Sequence, residues 1–369
     1  MKSALSPSVN VFPGQRLSEK LNVALKNYKK GKYNAVLSIC KTIYSEDACC
    51  VDNLLMLGAI YFLRRDISES LFYNQQCLKV DPDCVEALSN IGNCFQELGD
   101  KPSAIQFFMK AIKLQPRFSY AYSNLALVYF HQGDIEEAIN SLNTAIALDP
   151  QHADALSNLG NLFKTIGFAK YDDAKKCYLD AVKANPRMSI AWSNLAGIFS
   201  DWKEFGHAIE SYQQATTLSP TFADAYSNLG NTWVNKAICD RDNKELMDKA
   251  RSCYEKALSL RPNFDIANGN LGVWFMHNHS NRSRSDWSNV IKYLQRSVQS
   301  HHVSADPLNN LGNVYMQDMA EGEARKCYVR ALKICPSHGY ALTNLGVALV
   351  HKVNQYIFFI FIKNKVEEK

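Results

Sequence analysis

Between Ser119 and Pro150 the apolar residues recur at helical spacing. Tyr122, Leu125, Ala126 and Tyr129 lie three and four apart, which marks one face of a helix. Gly133-Asp134 breaks the pattern, Ala138, Leu142 and Ala145 resume the period, and Pro150 stops it. The segment therefore predicts a helix, a turn and a second helix. The pattern restarts at Val51, Val85, Ser119, Ala153, Ser189, Ala223, Asp265, Ala305 and Gly339; five of the steps are 34 residues and three are 36, 42 and 40. Small residues at the eighth and twentieth positions, such as Gly92 with Ala104 and, allowing for the insertion, Gly230 with Ala250, let the two helices of a unit approach closely. Large residues at the fourth, eleventh and twenty-fourth positions fill the space around them. One such pair cannot bury its apolar face alone, so the copies must stack. The expected fold is all-α: a right-handed superhelical solenoid of about eight or nine helix-turn-helix units. The residues in excess of 34 fall near Phe168–Tyr171, Ala237–Lys244 and His277–Ser285, between the helices of their units, and are expected as surface loops.

This periodicity divides the chain. Residues 1–15 read as a disordered segment, 16–50 as a degenerate first repeat, 51–350 as the solenoid and 351–369 as an atypical tail. The first repeat is suggested by GKYNAV at Gly31–Val36, which parallels GDIEEAI at Gly133–Ile139. The unit from Gly339 has a first helix and no recognisable second. The tail holds YIFFIFI, Tyr356–Ile362, too short for a bilayer span of about 20 apolar residues. Its mismatch with every repeat position suggests a truncated chain or a misread exon boundary.

Charge and cysteine content narrow the chemistry. A net charge of +5 without a long basic block points to neither nucleic acid nor membrane as partner. Eleven cysteines without a C-x-x-C pair argue against zinc and thioredoxin-type sites. With no apolar signal core at the N-terminus, free thiols in a reducing compartment, cytoplasmic or nuclear, are expected. His277, His279, His301 and His302 lack carboxylate or thiol partners at ligand spacing and read as surface residues. No nucleophile with a base emerges, so no catalytic residue, metal or cofactor is assigned.

One polar position stands out. Asn90, Asn124, Asn158, Asn194, Asn228, Asn270, Asn310 and Asn344 occupy the same place in eight successive units. Each costs a helix interior about 0.5 kcal/mol relative to Ala, so a compensating interaction is required. Two are open: a hydrogen bond to the neighbouring repeat, or a bond to a guest. Successive first helices about 10 Å apart match three residues of extended peptide. A row of amides, each donor and acceptor, could then hold a peptide backbone at every third residue. One turn earlier stand Glu86, Tyr120, Asp154, Ile190, Asp224, Ile266, Asp306 and Tyr340. Ser89, Ser123, Ser157, Ser193 and Ser227 precede the Asn, and Asn93, Asn161, Asn231 and Asn313 follow three later. These rows predict a neutral-polar inner surface with acidic points.

The 34-residue period with its aromatic, Leu-Gly, Ala and Pro positions resembles the tetratricopeptide repeat. HADALSNLGNLFKTIG and FADAYSNLGNTW further resemble the repeat arm of the O-GlcNAc transferase family. That resemblance implies an Asn ladder gripping substrate backbone, carried here by the eight asparagines. It also implies an Asp ladder biasing substrate choice, carried by Asp154, Asp224 and Asp306; Tyr120, Ile190, Ile266 and Tyr340 depart from it. The family's UDP-GlcNAc-binding catalytic domain has no counterpart in this sequence, so the nucleotide sugar would matter only if such a domain were restored. Chaperone-binding repeat domains grip a carboxylate with Lys and Arg on their inner helices, and the rows above hold none. The expected role is a module that binds extended Ser/Thr-containing protein segments, or alternatively a free-standing scaffold assembling a complex. A homodimer is left open.

Overall fold

The structure is a computed structural model that describes residues 13–240, 243–278, 284–299, 304–351 and 353. The chain divides into two compact units, Met1–Pro186 and Arg187–Lys369. In the first, α1 (Pro13–Lys29) pairs with α2 (Tyr33–Glu46), α3 (Val51–Leu63) with α4 (Ile67–Val80), and α5 (Val85–Glu97) with α6 (Lys101–Leu114). Next, α7 (Ser119–Gln132) pairs with α8 (Ile135–Leu148) and α9 (Ala153–Ile166) with α10 (Tyr171–Ala184). In the second unit the pairs are α11 (Ser189–Asp201) with α12 (Phe205–Leu218), and α13 (Ala223–Cys239) with α14 (Lys244–Leu260). Then α15 (Asp265–Asn278) pairs with α16 (Arg284–Ser297) and α17 (Ala305–Gln317) with α18 (Glu321–Ile334), and a last helical stretch covers 339–351. Within each unit a second helix also packs on the first helix of the following pair, which makes each unit a helical-repeat stack. No strand and no helix long and apolar enough to cross a membrane occurs among the described residues.

Local chemistry sets the turns. At Gly133 (φ 92°) the chain turns left-handed; Gly133 N–H donates to Phe130 O and Asp134 N–H to Tyr129 O, closing a Schellman motif. Arg65, Lys203 and Met319 take the same conformation without being glycine (φ 63°, 62° and 60°). Asp66 and Asp100 then cap the second helices, accepting from Glu69 N–H and Ser103 N–H.

The close approach at the eighth position is real. A Cβ on Gly92 would lie 2.6 Å from the Phe108 ring, and on Gly160 or Gly230 2.6 Å from Tyr178 or Tyr254. With the insertions discounted, the opposing ring is the twenty-fourth residue of its unit, and the twentieth, Ala104 or Ala250, is fully buried. Where the eighth position is Ala126 the ring is replaced by the smaller Leu142, so the volume is shared differently.

The insertions differ from the expected loops. Near 168–171 the chain forms a 3-10 turn, Phe168–Lys170, running straight into α10. Near 237–244 the extra residues lengthen α13 and α14 to 17 residues each, because the added turns bury Ala237 and Leu246. His277 belongs to α15 rather than a loop, and residues 279–283 lie outside the described residues. The helix at Pro13 begins inside the segment expected to be disordered; residues 1–12 lie outside the described residues. So does the tail 351–369 apart from His351 and Val353.

Candidate functional site

The eight asparagines divide into those tied to a neighbour and those that are not. Seven are half-buried and Asn228 is exposed. Asn90 Nδ2 donates to Asn74 Oδ1 (3.0 Å), Asn124 Nδ2 to Ser89 Oγ (3.3 Å) and Asn270 Nδ2 to Asn231 Oδ1 (2.7 Å). Asn344 Nδ2 donates to both Asn309 Oδ1 (2.9 Å) and Asn313 Oδ1 (2.8 Å). In every case the acceptor belongs to the preceding repeat. Asn194 is engaged as well. Among the described residues the side chains of Asn158, Asn228 and Asn310 have no hydrogen-bond partner. The row thus holds amides tied to the preceding repeat and amides with no hydrogen bond inside the fold.

Two of the acceptors, Asn231 and Asn313, and their counterpart Asn161 are fixed by phenols that the sequence reading did not single out. Tyr178 OH donates to Asn161 Oδ1 (2.7 Å), Tyr254 OH to Asn231 Oδ1 (2.7 Å) and Tyr328 OH to Asn313 Oδ1 (2.9 Å). Burial pushes the Tyr328 hydroxyl up to about 12, with Cys327 adding to it, and raises Tyr178 and Tyr254 further. The phenols therefore stay protonated and serve as donors. At Asn231 and Asn313 one carbonyl oxygen collects two bonds, from its own repeat's phenol and from the next repeat's ladder amide. The signal was available in sequence: three of the four units with Asn three after the ladder also carry Tyr at position twenty-four. The fourth has Phe108 opposite Asn93, and there the next ladder amide, Asn124, turns to Ser89.

The serines expected on the inner surface are inside the fold. Ser89, Ser123, Ser157, Ser193 and Ser227 are all buried. Ser89 Oγ accepts from the ladder amide of the next repeat, while the fully buried Ser227 Oγ has no partner among the described residues.

The three aspartates are not equivalent. Asp154 is exposed and unpaired. Asp224 is clamped by Arg261 (Nη2–Oδ2 2.7 Å, Nη1–Oδ1 3.2 Å), whose guanidinium lies 4.5 Å over Phe264. Asp306 meets His338 Nε2 at 3.0 Å while His338 Nδ1 accepts from Ala341 N–H. Asp224 is thus paired with a guanidinium, whereas Asp306 is hydrogen-bonded to an imidazole. His152 caps its helix in the same way, accepting from Ala155 N–H, but its neighbour is Tyr120, with ring centroids 4.4 Å apart. All eleven cysteines are free thiols, most of them buried; burial lifts Cys40 and Cys177 to about 11. No cluster of three metal-ligating residues exists among the described residues; His279, His301 and His302 lie outside them.

In the second unit two cavities open on these junctions. One, of 360 Å³, is lined by Asn231, Tyr254 and Asn270 together with Val234, Met247 and Trp274. The other, of 440 Å³, is lined by Asn313, Tyr328 and Asn344 together with Met276, Met316 and Val347.

Family models described as tetratricopeptide repeat match residues 85–118, 107–140 and 240–264, and one described as TPR repeat matches 127–167 and 203–236. Over these residues the chain carries tetratricopeptide repeats. A solved structure, the APC/C hetero-tetramer Cut9-Hcn1, matches with a TM-score of 0.65 over 86% of this chain and 59% of that one. At 18% identity it shows the shared fold. Among curated relatives, the human protein O-mannosyl-transferase TMTC3 is 25% identical over 201 residues, 51% of this chain and 21% of its own length. Mouse RNA polymerase II-associated protein 3 is 32% identical over 100 residues, 27% of this chain and 14% of its own. Hsp70-Hsp90 organizing protein 2 of Arabidopsis thaliana is 27% identical over 100 residues, 24% of this chain and 18% of its own. The chain thus spans about a fifth or less of the length of these relatives.

Proposed function

We propose that this chain is a protein-interaction scaffold whose tetratricopeptide repeats hold an extended segment of a partner protein. The observation that carries it is the incomplete use of the ladder amides. Asn158, Asn228 and Asn310 repeat a choice unfavourable to helices without an internal bond in return. Where the amide nitrogen is tied back, as in Asn90, Asn124 and Asn270, the carbonyl oxygen still has no partner. A peptide N–H or C=O fits such groups without regard to side-chain identity. The relatives named for organizing or associating with other proteins agree with this role.

A second reading, the substrate-holding arm of a protein O-glycosyltransferase, is favoured by the asparagine row itself and by the likeness to a relative named for sugar transfer. It adds a downstream catalytic partner to the same binding mode.

The test uses fluorescence anisotropy with labelled 15-residue Ser/Thr-rich peptides. Replacing Asn158, Asn228 and Asn310 together by Ala should weaken binding by about ten-fold or more, equivalent to roughly one net hydrogen bond or two. Tm should hold or rise. Unchanged affinity in a folded triple variant contradicts the proposal.

A further inference from the structure

The two cavities of the second unit are one pocket built twice. Asn231, Val234, Tyr254, Asn270 and Val273 of the first correspond, position for position in their repeats, to Asn313, Met316, Tyr328, Asn344 and Val347 of the second. Each forms where a repeat carrying Asn at its ninth position and Tyr at its twenty-fourth is followed by a repeat lacking that Asn. The junction between them, around Asn310, has Val273 and Leu294 in those two places, and neither cavity includes Asn310.

The row one turn before the ladder follows the same two-repeat period. Along the second unit it reads Ile190, Asp224, Ile266, Asp306, Tyr340, and along the first Glu86, Tyr120, Asp154. The apolar members are well exposed: Ile190 52%, Ile266 55%, Tyr340 76% and Tyr120 53%. Ile266 stands one helical turn before Asn270 and Tyr340 one turn before Asn344, so each exposed apolar residue flanks the ladder amide of one pocket. Asp306 flanks Asn310, which lines neither of these two cavities. Apolar subsites and acidic ones therefore alternate from repeat to repeat.

Resting on the peptide-holding function above, we infer that the second unit selects extended segments with large aliphatic side chains six residues apart. Two successive repeats advance about 20 Å, twice the ordinary helix spacing, and about six residues of extended chain cover that distance. One aliphatic side chain enters the pocket walled by Val234, Met247 and Trp274, and the other the pocket walled by Met276, Met316 and Val347. The amide floor of each pocket meets the guest backbone. The residue midway passes Asn310 and the Asp306–His338 pair, where a polar side chain is accepted.

The test needs no variant at first. Fifteen-residue Ser/Gly peptides carrying two leucines six apart, two leucines three apart, or a single leucine are titrated against the full chain by anisotropy. The six-apart peptide should bind about ten-fold more tightly than either of the others, the gain from burying one further aliphatic side chain. Val273→Phe and Val347→Phe, each filling one pocket from an equivalent position, should reduce it to the single-leucine level, with circular dichroism confirming the fold. Equal affinity of the six-apart and three-apart peptides overturns this inference and leaves the scaffold function standing. If none of the peptides binds, the scaffold function itself is overturned.

Discussion

Two repeat junctions, one with Phe and one with Tyr packed on the equivalent glycine, solve the same problem differently. Between the units from Val85 and Ser119, Phe108 packs on Gly92 and offers Asn93 no bond, and Asn124 bonds Ser89 at 3.3 Å. Between the units from Ala223 and Asp265, Tyr254 packs on Gly230 equally closely but also pins Asn231, and Asn270 joins the same oxygen at 2.7 Å. The glycine–ring contact sets the spacing of the two helices in both. With the hydroxyl present the next ladder amide reaches the pinned Asn, as Asn270 and Asn344 do, although Asn344 also bonds Asn309, the counterpart of Ser89. A row that looks uniform in sequence thus holds rungs committed to the fold and rungs left over.

The largest expected effect tests what the two junctions share. Gly230→Ala and Gly92→Ala should each destabilise by about 1–3 kcal/mol from overpacking against the ring, less up to about 1 kcal/mol of helix propensity. Chemical denaturation measures it. Adding Tyr254→Leu to Gly230→Ala should recover part of the loss, because it recreates the pairing of Ala126 with Leu142.

The difference between the junctions is tested next. Tyr254→Phe removes a buried donor and should cost about 1 kcal/mol, converting this junction to the other kind. Phe108→Tyr should stabilise by a similar or smaller amount if its hydroxyl reaches Asn93. Loss of stability in both variants would show that ring packing, not the hydroxyl, distinguishes the junctions. A smaller contrast lies within the ladder. Asn270→Ala should lower Tm, whereas Asn310→Ala should change stability by less than about 0.5 kcal/mol.

The smallest effect is electrostatic. Burial holds the His152 imidazole below its ordinary range, with Asp154 and Asp149 pulling more weakly upward. A histidine that ionises less readily when folded binds more protons when unfolded. Stability should therefore fall as pH drops through the unfolded value of about 6.5. His152→Asn keeps a helix-capping side chain and should show a smaller Tm loss between pH 7 and pH 5 than the parent chain.

The repeat architecture was legible because period, breakers and small residues agree at every level. The ladder positions were legible as an anomaly of propensity. What the sequence hid were partners from elsewhere in the fold. Tyr254 lies 23 residues from Asn231, and Arg261 lies 37 from Asp224. Such pairings follow from how the two helices of one repeat fold against each other, not from the spacing within one helix. The serines were misplaced for a related reason. Within one helix Ser227 looks like part of the polar face, but the packing buries it completely.

The most direct measurement is hydrogen exchange of the asparagine side-chain amides by NMR, with and without a saturating extended peptide. The free chain should show slow exchange at Asn270 and Asn344 and fast exchange at Asn158, Asn228 and Asn310, with the last three becoming protected on binding. Equal protection of all five in the free chain, or no change at Asn158, Asn228 and Asn310 with peptide bound, would contradict the account.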